Sequence, residues 1–413
     1  MVQKMRKMKD SGIEWIGEIP EGWTKNKVIR LFDTIGSGTT PKNITSDFPV
    51  VNWIQSGDIT GSFMPACKNV ISANLLSQYS ALKVYPAPFI IIAMYGASVG
   101  NASISLIDGC VNQACCVLSS PSCNLHYAFY VIKSAQSYLV RKAVGGGQPN
   151  ISQETIKQLW LPLPPLSTQD IIVRNLDATC SKIDDLLSSV HASIEEYKKL
   201  KQAVITQAVT TLNCPNVKLK YLMDIIVDCP HETPIYTFTG NYLVIRTSDQ
   251  SLASLRCDED MYRLDEAEYK KRTRRLTLDK DDIVYGREGS WGLACLVPQS
   301  NKYCLGQRVM QFRCNTRLLY PKYAMYALNS ETVYMQGALD TIGSTAPHVN
   351  ISTICNYLLP VPALNEQKEI TNYLDAKCAE IDKLIAKKEQ LVKELESYKK
   401  SLIYEVVTGK REV

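Results

Sequence analysis

The strongest constraint on the fold of this chain is an internal repeat. The proline-rich stretch LWLPLPPLSTQD at 159–170 is matched by LLPVPALNEQKE at 358–369. Beyond each stretch, apolar residues recur every three or four positions. Ten of the eleven such positions between Ile172 and Ala208 stay apolar when 198 is added to the residue number. This spacing places the apolar side chains on one stripe of a long helix.

The repeat predicts two long helices, a central one over 167–212 and a C-terminal one over 365–413, with Ser167 and Asn365 as their N-caps. A narrow apolar stripe of this length needs an equally long partner. The other copy provides it, so we expect an antiparallel coiled coil. An unbroken central helix would be about 65 Å long at ~1.5 Å per residue. The residues expected to pack between the helices are Ile172, Leu176, Ile183, Leu187, Ile194, Leu200, Val204, Ile370, Leu374, Ile381, Ile385, Leu395, Leu402 and Val406.

The segments that precede the two helices are also related, although more weakly. YGASVGNASISLI at 95–107 is matched by YGREGSWGLACLV at 285–297, and VNQACCVL at 111–118 is matched by LGQRVMQF at 305–312. The sequence therefore predicts an α+β protein. Two mixed α/β domains, 1–166 and 213–364, are joined and flanked by the helices, with approximate twofold symmetry inside one chain. The helices are alike and the domains have diverged, so we expect two different surfaces on one shared frame.

The composition argues against several other classes of protein. The fourteen cysteines include no C-x-x-C pair, which disfavours zinc ribbons and thioredoxin-like sites and favours buried, reduced thiols. No metal site is expected. The basic start MVQKMRKMKD has no apolar stretch behind it, unlike a signal peptide. The most apolar run, residues 84–100, is broken by prolines and glycines, so we expect no membrane span.

Several motifs in combination resemble those of the specificity subunit of type I restriction–modification enzymes. They are SGIEWIGEIPEGW at 11–23, GSGTTPK at 36–42, the two P-x-P joints followed by STQ and NEQ, and the helix ends VITQAVT and LIYEVVTGK. The resemblance covers nearly the whole chain. It implies that each globular domain is a target recognition domain, which reads one half of a split, asymmetric sequence in double-stranded DNA.

The resemblance also implies the partners of the chain. In this family the helices hold the two domains at a fixed separation and dock two methyltransferase subunits, and motor–nuclease subunits join that core. S-adenosylmethionine, ATP and Mg are then expected on the partner subunits and no cofactor on this chain. The chain itself is expected to be non-catalytic and to work in the bacterial or archaeal cytoplasm.

The DNA contacts expected in the first domain lie on loops rich in glycine and polar side chains. The loop GSGTTPK offers exposed amides, hydroxyls and a cation for phosphates, although a plain turn is an equal alternative. Side-chain amides on other loops are candidates for base reading, because they match base edges in the major groove. Residues 24–166 carry ten Lys and Arg against five Asp and Glu, a net charge of +5. The expected contacts are Ser37, Thr39, Thr40, Lys42, Asn101, Gln113 and Gln148.

The second domain holds ten of the fifteen arginines of the chain. The run KKRTRR at 270–275 is either a solvated helix face or a phosphate contact, and the DNA-binding frame favours the contact. Two further arginines, at 287 and 308, align with Ala97 and Ala114 of the first domain, and we interpret them as base readers. The expected contacts in this domain are Arg246, Lys270, Lys271, Arg272, Arg287 and Arg308.

Two rival classes of function remain. GASVG at 96–100 matches the nucleophile elbow of hydrolases, but the residues after it are β-like and only four histidines occur in the chain. A stand-alone hydrolase is therefore disfavoured. A coiled-coil scaffold that binds only protein would leave the divergence of the two domains unexplained. Salt-dependent binding of duplex DNA distinguishes a DNA reader from such a scaffold.

Overall fold

The computed structural model describes residues 7–145, 149–211, 213–289, 291–340 and 348–413. The chain divides into two compact units. Unit 1 consists of Met1–Ser189 with Val392–Val413, and unit 2 consists of Val190–Leu391. The division falls inside the two long helices, whereas the predicted domains end where the helices begin. Those domain limits stay a prediction.

Unit 1 is a mixed α/β unit whose short elements precede the first long helix. Its strands are β1 Met8–Ile13, β2 Gly17–Pro20, β3 Thr24–Lys27, β4 Phe32–Gly36, β5 Val50–Ile54, β6 Phe63–Met64, β7 Val70–Ser72, β8 Phe89–Ala93, β9 Ala102–Ser105, β10 Cys110–Val111, β11 Cys115–Pro121 and β12 Trp160–Leu163. Its short helices are α1 Val28–Leu31, α2 Leu75–Gln78, α3 Leu125–Ser134, α4 Gln136–Lys142 and α5 Gln153–Lys157. The first long helix is α6 Leu166–Thr210, which ends in unit 2.

The core of unit 1 lies on both faces of a five-stranded sheet with the strand order β4-β11-β8-β9-β6. Strand β8 reads FIIIA and is buried along its whole length. Successive side chains of a strand point to opposite faces. Accordingly, Ile90 and Ile92 pack with α3 and the long helices, whereas Phe89 and Ile91 pack in a second cluster that includes Ile54 of β5. Strand β5 belongs to a second sheet, with the order β10-β5-β7.

Unit 2 repeats this architecture in the same chain order. Its strands are β13 Asn216–Lys218, β14 Met223–Asp228, β15 Tyr242–Ile245, β16 Gln250–Ser251, β17 Ser254–Leu255, β18 Arg263–Leu264, β19 Ile283–Gly286, β20 Ala294–Leu296, β21 Tyr303–Leu305, β22 Val309–Cys314 and β23 Leu358–Pro360. Its helices are α7 Glu266–Arg272, α8 Pro321–Leu328, α9 Glu331–Ala338, α10 Ile351–Cys355 and α11 Leu364–Val407, which ends in unit 1.

The sheets of unit 2 have the orders β14-β22-β19-β20 and β18-β15-β21, which match the orders β4-β11-β8-β9 and β7-β5-β10 of unit 1. In both units a two-stranded ribbon leads into the long helix, β12 with β3 and β23 with β13. The predicted α+β fold with an internal repeat is therefore confirmed. The repeat extends through the sheets as well as the helices.

Both long helices begin one residue before the predicted position, so Ser167 and Asn365 lie in the first turn and are not N-caps. The second helix ends at Val407, before the predicted end at residue 413. Gly409 follows with φ of +74°, a left-handed conformation that commonly terminates a helix.

A buried glutamine in the first turn joins each long helix to the rest of its unit. Its amide nitrogen donates to a proline carbonyl of the preceding joint, and its amide oxygen accepts from the backbone at the start of α3 or α8. The same two bonds in both units explain why a glutamine follows each joint. They are Gln169 Nε2 to Pro164 O at 2.9 Å, Asn124 N to Gln169 Oε1 at 2.8 Å, Gln367 Nε2 to Pro362 O at 2.8 Å and Tyr320 N to Gln367 Oε1 at 2.7 Å.

The long helices run antiparallel within unit 1. The hydroxyl of Tyr127 is within hydrogen-bonding distance of two carbonyls, that of Pro162 at 2.8 Å and that of Val407 at 3.1 Å. Pro162 precedes α6 and Val407 is the last residue of α11, so the end of one helix lies beside the start of the other. Leu176 of α6 and Leu402 of α11 belong to the same buried cluster.

The helices are also antiparallel within unit 2. Lys388 of α11 lies 5.7 Å from the ring centroid of Tyr197, and Asp382 of α11 bonds Lys201 at 2.8 Å. Along this contact the residue numbers on α11 decrease as those on α6 increase, which is the pattern of antiparallel helices.

Two ion pairs between the helices are related by the 198-residue repeat. In unit 2, Lys201 of α6 pairs with Asp382 of α11 at 2.8 Å. In unit 1, Asp184 of α6 pairs with Lys399 of α11 at 2.5 Å. Adding 198 to 184 and 201 gives 382 and 399, so each helix supplies the acid of one pair and the base of the other. This exchange is the consequence of pairing two copies of one helix in antiparallel orientation.

Leu200 is an exception among the predicted packing residues, because its side chain is 47% exposed. The next residue, Lys201, faces α11 instead, and the repeat counterpart of Leu200, Tyr398, is equally exposed. The other predicted packing residues are buried or half-buried. The list of predicted packing residues left out four further buried apolar positions on α6, which are Val173, Cys180, Ile205 and Val209.

The cysteines of the chain are unpaired thiols, and most of them are buried. Burial raises the pKa of Cys116 and of Cys295 to about 12, so both thiols stay protonated at neutral pH. None of the helices within the described residues combines the length and the apolar character needed to cross a membrane.

The inter-helix ion pairs lead to a prediction about stability. Asp382→Ala should lower the free energy of unfolding by about 1–2 kcal/mol, because it leaves a buried ammonium without its anion. The Lys201 side chain is 8% exposed, against 19% for Lys399. Asp184→Ala should therefore cost less, below about 1 kcal/mol.

Urea denaturation of the two variants measures the difference. Glu389→Ala, at an exposed acid of α11, is the control and should be close to neutral. Adding Lys201→Met to Asp382→Ala should recover most of the loss. Equal losses from the two aspartate variants would contradict the account.

Candidate DNA interface

The loop at 36–42 of unit 1 is held tightly against the segment that precedes β11. The hydroxyl of Ser37 donates to the carbonyl of Cys115 at 2.7 Å, and the hydroxyl of Tyr85 donates to the carbonyl of Ser37 at 2.9 Å. A Cβ on Gly38 would lie 1.7 Å from the carbonyl oxygen of Val111, so only glycine fits there. Gly38 thus allows a close approach of two backbones.

This loop brings together two of the predicted contact residues. The hydroxyl of Thr40 bonds the side-chain oxygen of Gln113 at 2.6 Å, and both residues are exposed. Lys42 is exposed two residues further on, whereas Thr39 is half-buried. The result is a small exposed polar group on unit 1, with an exposed cation two residues further along the chain.

Asn101 is not part of this group. Its side-chain oxygen accepts a hydrogen bond from Gln136 of α4, and its backbone N–H donates to the carbonyl of Ser98 at 2.9 Å. Those bonds give it a structural role in the turn between β8 and β9. Gln148 lies outside the described residues.

Arg272 is buried, which corrects its predicted role as a phosphate contact. Its guanidinium donates to the carbonyl of Leu305 at 3.0 Å, to that of Glu232 at 2.9 Å and to that of Pro230 at 3.4 Å. The side chain therefore ties the loop after β14 to the end of β21. A guanidinium used in this way is not available to DNA.

The neighbouring lysines differ from Arg272 because both are exposed. Lys270 pairs with Glu266 at 2.6 Å, and Lys271 pairs with Glu232 at 2.7 Å. Exposed pairs of this kind are weak, so a phosphate can displace the carboxylate. Their contact with DNA stays a prediction.

The planar guanidinium of Arg246 makes hydrogen bonds along its edge and packs its face against an aromatic ring. Its Nε and Nη2 atoms donate to Asp249 at 2.8 Å each, and its guanidinium carbon lies 3.8 Å from the ring centroid of Tyr262. The hydrogen bonds with Asp249 raise the pKa of Arg246. Its counterpart in unit 1 is Gln55, which occupies the same capping position. The two units thus differ here in charge and size.

Arg287 is also buried, which corrects its predicted role as a base reader. Its Nη2 atom bonds Asp228 at 3.3 Å and Glu288 at 2.7 Å. The structure aligns Arg287 with Met94 rather than with Ala97. The N–H of Arg287 donates to the carbonyl of residue 308 at 2.9 Å, as the N–H of Met94 donates to that of residue 114 at 2.8 Å. The shared Tyr-Gly dipeptide had shifted the sequence alignment by three positions.

Arg308, in contrast, is exposed, and it aligns with Ala114 as predicted. Its φ of +70° lies in the left-handed region, which is unfavourable for residues other than glycine. Strained backbone of this kind is concentrated at functional sites. The structure therefore keeps Arg308 as the strongest candidate for reading a base in unit 2.

A second polar pair, which the sequence did not reveal, is formed by Thr233 and Gln307. The side-chain nitrogen of Gln307 bonds the hydroxyl of Thr233 at 3.3 Å. Gln307 aligns with Gln113, and Thr233 is followed by a buried proline, as Thr40 is. The Thr-Pro dipeptides at 40–41 and 233–234 were the available signal, but two extra residues in the second loop hid the match.

The hydrolase-like motif GASVG does not form a nucleophile elbow. Gly96–Ser98 is a short 3-10 turn, and the hydroxyl of Ser98 donates to the carbonyl of Tyr95 at 3.4 Å. A strand follows instead of a helix. Within the described ranges, no group of three or more His, Cys, Asp or Glu side chains is arranged to hold a metal ion.

Known proteins share both the sequence pattern and the fold. The chain is 24% identical over 306 residues to the type I restriction enzyme MjaVIII specificity subunit of Methanocaldococcus jannaschii, with 69% of each protein covered. It is 21% identical over 377 residues to the EcoBI specificity subunit of Escherichia coli, covering 83% of this chain and 78% of that protein.

A solved structure has the same fold at low sequence identity. It is described as "Structural basis underlying complex assembly and conformational transition of the type I R-M system". The match has a TM-score of 0.69 at 16% identity and covers 95% of this chain and 99% of the other.

The sequence model of the type I restriction modification DNA specificity domain matches residues 20–196 and 228–394. The two matched blocks fall on the two copies of the internal repeat. Because they span most of the sequence, this chain belongs to the family of type I restriction modification DNA specificity domain proteins.

Proposed function

We propose that this chain is the DNA-recognition subunit of a type I restriction–modification complex. Each unit reads one half of a bipartite, asymmetric site in double-stranded DNA. One observation carries this proposal. Two sheets with the same strand order carry different side chains directly before equivalent strands. Ala114 precedes β11 in unit 1, and Arg308 precedes β22 in unit 2. A repeat that keeps its strand order and changes the side chains beside its strands suits the reading of two unlike half-sites.

In this proposal the long helices have two roles. They set the distance between the half-sites, because a stiff connector keeps each reading surface in phase with the groove. They also dock two methyltransferase subunits, which motor–nuclease subunits join in the full complex. The chain contributes no catalytic group, and S-adenosylmethionine, ATP and Mg bind to its partners. The names of the related specificity subunits support this assignment.

A scaffold that binds only protein is the less favoured alternative. It gives no reason for an exposed, strained arginine beside a polar pair in one unit and an alanine at the same position in the other. It also gives no reason why equivalent strands of the two units carry different side chains.

The spacing role is tested by inserting one helical turn of four residues into α6 within 183–204. At ~1.5 Å per residue the insertion should move one unit by about 6 Å, close to two base-pair steps of ~3.4 Å. Methylation mapping should then show both half-sites unchanged and a longer gap between them. A gap of unchanged length would contradict the spacing role.

The base-reading role of Arg308 is tested by Arg308→Ala. Removing one arginine that bonds a base edge should reduce discrimination at one position of one half-site by about 1–3 kcal/mol. Competition binding with duplexes substituted at each position measures the loss. Arg317→Ala, at an exposed arginine beyond the opposite end of β22, is the matched control.

Arg308→Gly separates the contact from the backbone strain. It removes the same side chain and also relieves the left-handed φ, so it should lose discrimination without losing stability. An equal loss of affinity for all duplexes would instead identify Arg308 as a phosphate contact.

A further inference from the structure

The geometry points to a phosphate-binding pair that both units share. The pairs Thr40–Gln113 and Thr233–Gln307 each contact one backbone phosphate of the bound duplex, independently of its sequence. The inference rests on the proposed function and adds a division of labour to it. The shared pairs position each unit on the DNA backbone, and the side chains that differ between the units read the bases.

In unit 1 the pair leaves hydrogen-bond donors facing solvent. The hydroxyl of Thr40 donates to the side-chain oxygen of Gln113, which uses the hydroxyl hydrogen. The amide nitrogen of Gln113 keeps two N–H donors, and the side chain is exposed.

In unit 2 the direction of the bond is reversed, Thr233 is exposed and Gln307 is half-buried. The amide nitrogen of Gln307 donates to the hydroxyl oxygen of Thr233. The hydroxyl hydrogen and the second amide N–H remain as donors. In each unit the bond within the pair occupies one acceptor, and the pair retains two donors.

Retained donors suit a phosphate, because phosphate oxygens only accept hydrogen bonds. Base edges in the major groove offer donors as well as acceptors, and their pattern changes with sequence. Two units that read different half-sites need different base contacts but can use the same backbone contact. The pair is the same in both units although its neighbour changes from Ala114 to Arg308, which favours the phosphate.

Each unit fixes the position of the pair by different means. In unit 1, Ser37 links the threonine loop to Cys115, two residues beyond Gln113. In unit 2, buried Arg272 links the carbonyls of Pro230 and Glu232 to that of Leu305, two residues before Gln307. Two unrelated braces holding the same pair argue that its position matters to both units.

Each pair also has an exposed cation close to it in the chain. Lys42 follows Thr40 by two residues in unit 1, and Arg308 follows Gln307 directly in unit 2. A cation near the donors attracts the charged DNA backbone.

The test uses the complex of this chain with its methyltransferase subunits and duplexes that carry the methylated sequence. Gln113→Ala and Gln307→Ala should each weaken binding about fivefold. The loss should be the same on duplexes in which either half-site is altered, and discrimination between sequences should not change. The salt dependence should stay constant, because glutamine is uncharged, whereas Lys42→Ala should lower its slope by about one.

Two controls exclude a general effect on the fold. Gln158→Ala changes an exposed glutamine of unit 1 that also bonds neighbouring side chains, Lys27 and Glu154, and it should leave binding unchanged. Thr40→Ser retains the hydroxyl and should bind as the wild type does, whereas Thr40→Val should weaken binding less than Gln113→Ala does, because it removes only the bond that holds the Gln113 amide. Thermal denaturation should give similar midpoints for all of these variants.

Duplexes that carry one methylphosphonate, a neutral replacement of one phosphate, identify the contact. At one position in a half-site, the replacement should weaken the wild type about fivefold and should not weaken Gln113→Ala any further. A loss confined to the cognate half-site would make the pair a base reader and would overturn the inference. Unchanged binding by the variant that combines Gln113→Ala with Gln307→Ala would also overturn it while leaving the proposed function intact. Failure of the wild-type complex to bind any duplex would refute the proposed function itself.

Discussion

The antiparallel packing of α6 against α11 is the interaction on which the rest of the structure depends. Each helix has one narrow apolar stripe, and the sheet regions cover only the parts of it that lie beside them. Pairing two copies of one helix buries both stripes. It also exchanges the ion pairs, so that Lys201 meets Asp382 in unit 2 while Asp184 meets Lys399 in unit 1. The register of the two helices is therefore fixed by charge as well as by apolar contact.

The long helices position the loops of each unit through a few hydrogen bonds. Gln169 and Gln367 lock the first turn of each long helix to the proline joint and to the helix that covers the main sheet. The strands of that sheet carry the loops with the Thr–Gln pairs at one edge. Since the frame is the same in both units, the proposed function assigns differences in recognition chiefly to side chains outside that frame. A new specificity can then arise without a change in the core.

The sequence predicted the frame well because its signals are local and periodic. Spacing by three and four residues identified both helices, and a common offset identified the repeat. The prediction that Leu200 packs between the helices was wrong. Leucine and lysine are adjacent at 200–201, and the sequence does not show which of the two side chains faces α11. It could not show that Arg272 and Arg287 are buried, since burial of a charge depends on carbonyls and carboxylates distant in the chain. The equivalence of Thr40 and Thr233 was hidden by a change in loop length, and only strand register revealed it.

The most direct test of the central claim is a map of methylated adenines across the genome of cells that contain the partner methyltransferase, with and without this chain. The account predicts that the modification appears only with the chain present. It also predicts that the modified positions share one split sequence, with two unlike halves and a gap of constant length. Methylation that does not depend on the chain, or that follows a single uninterrupted motif, would contradict it.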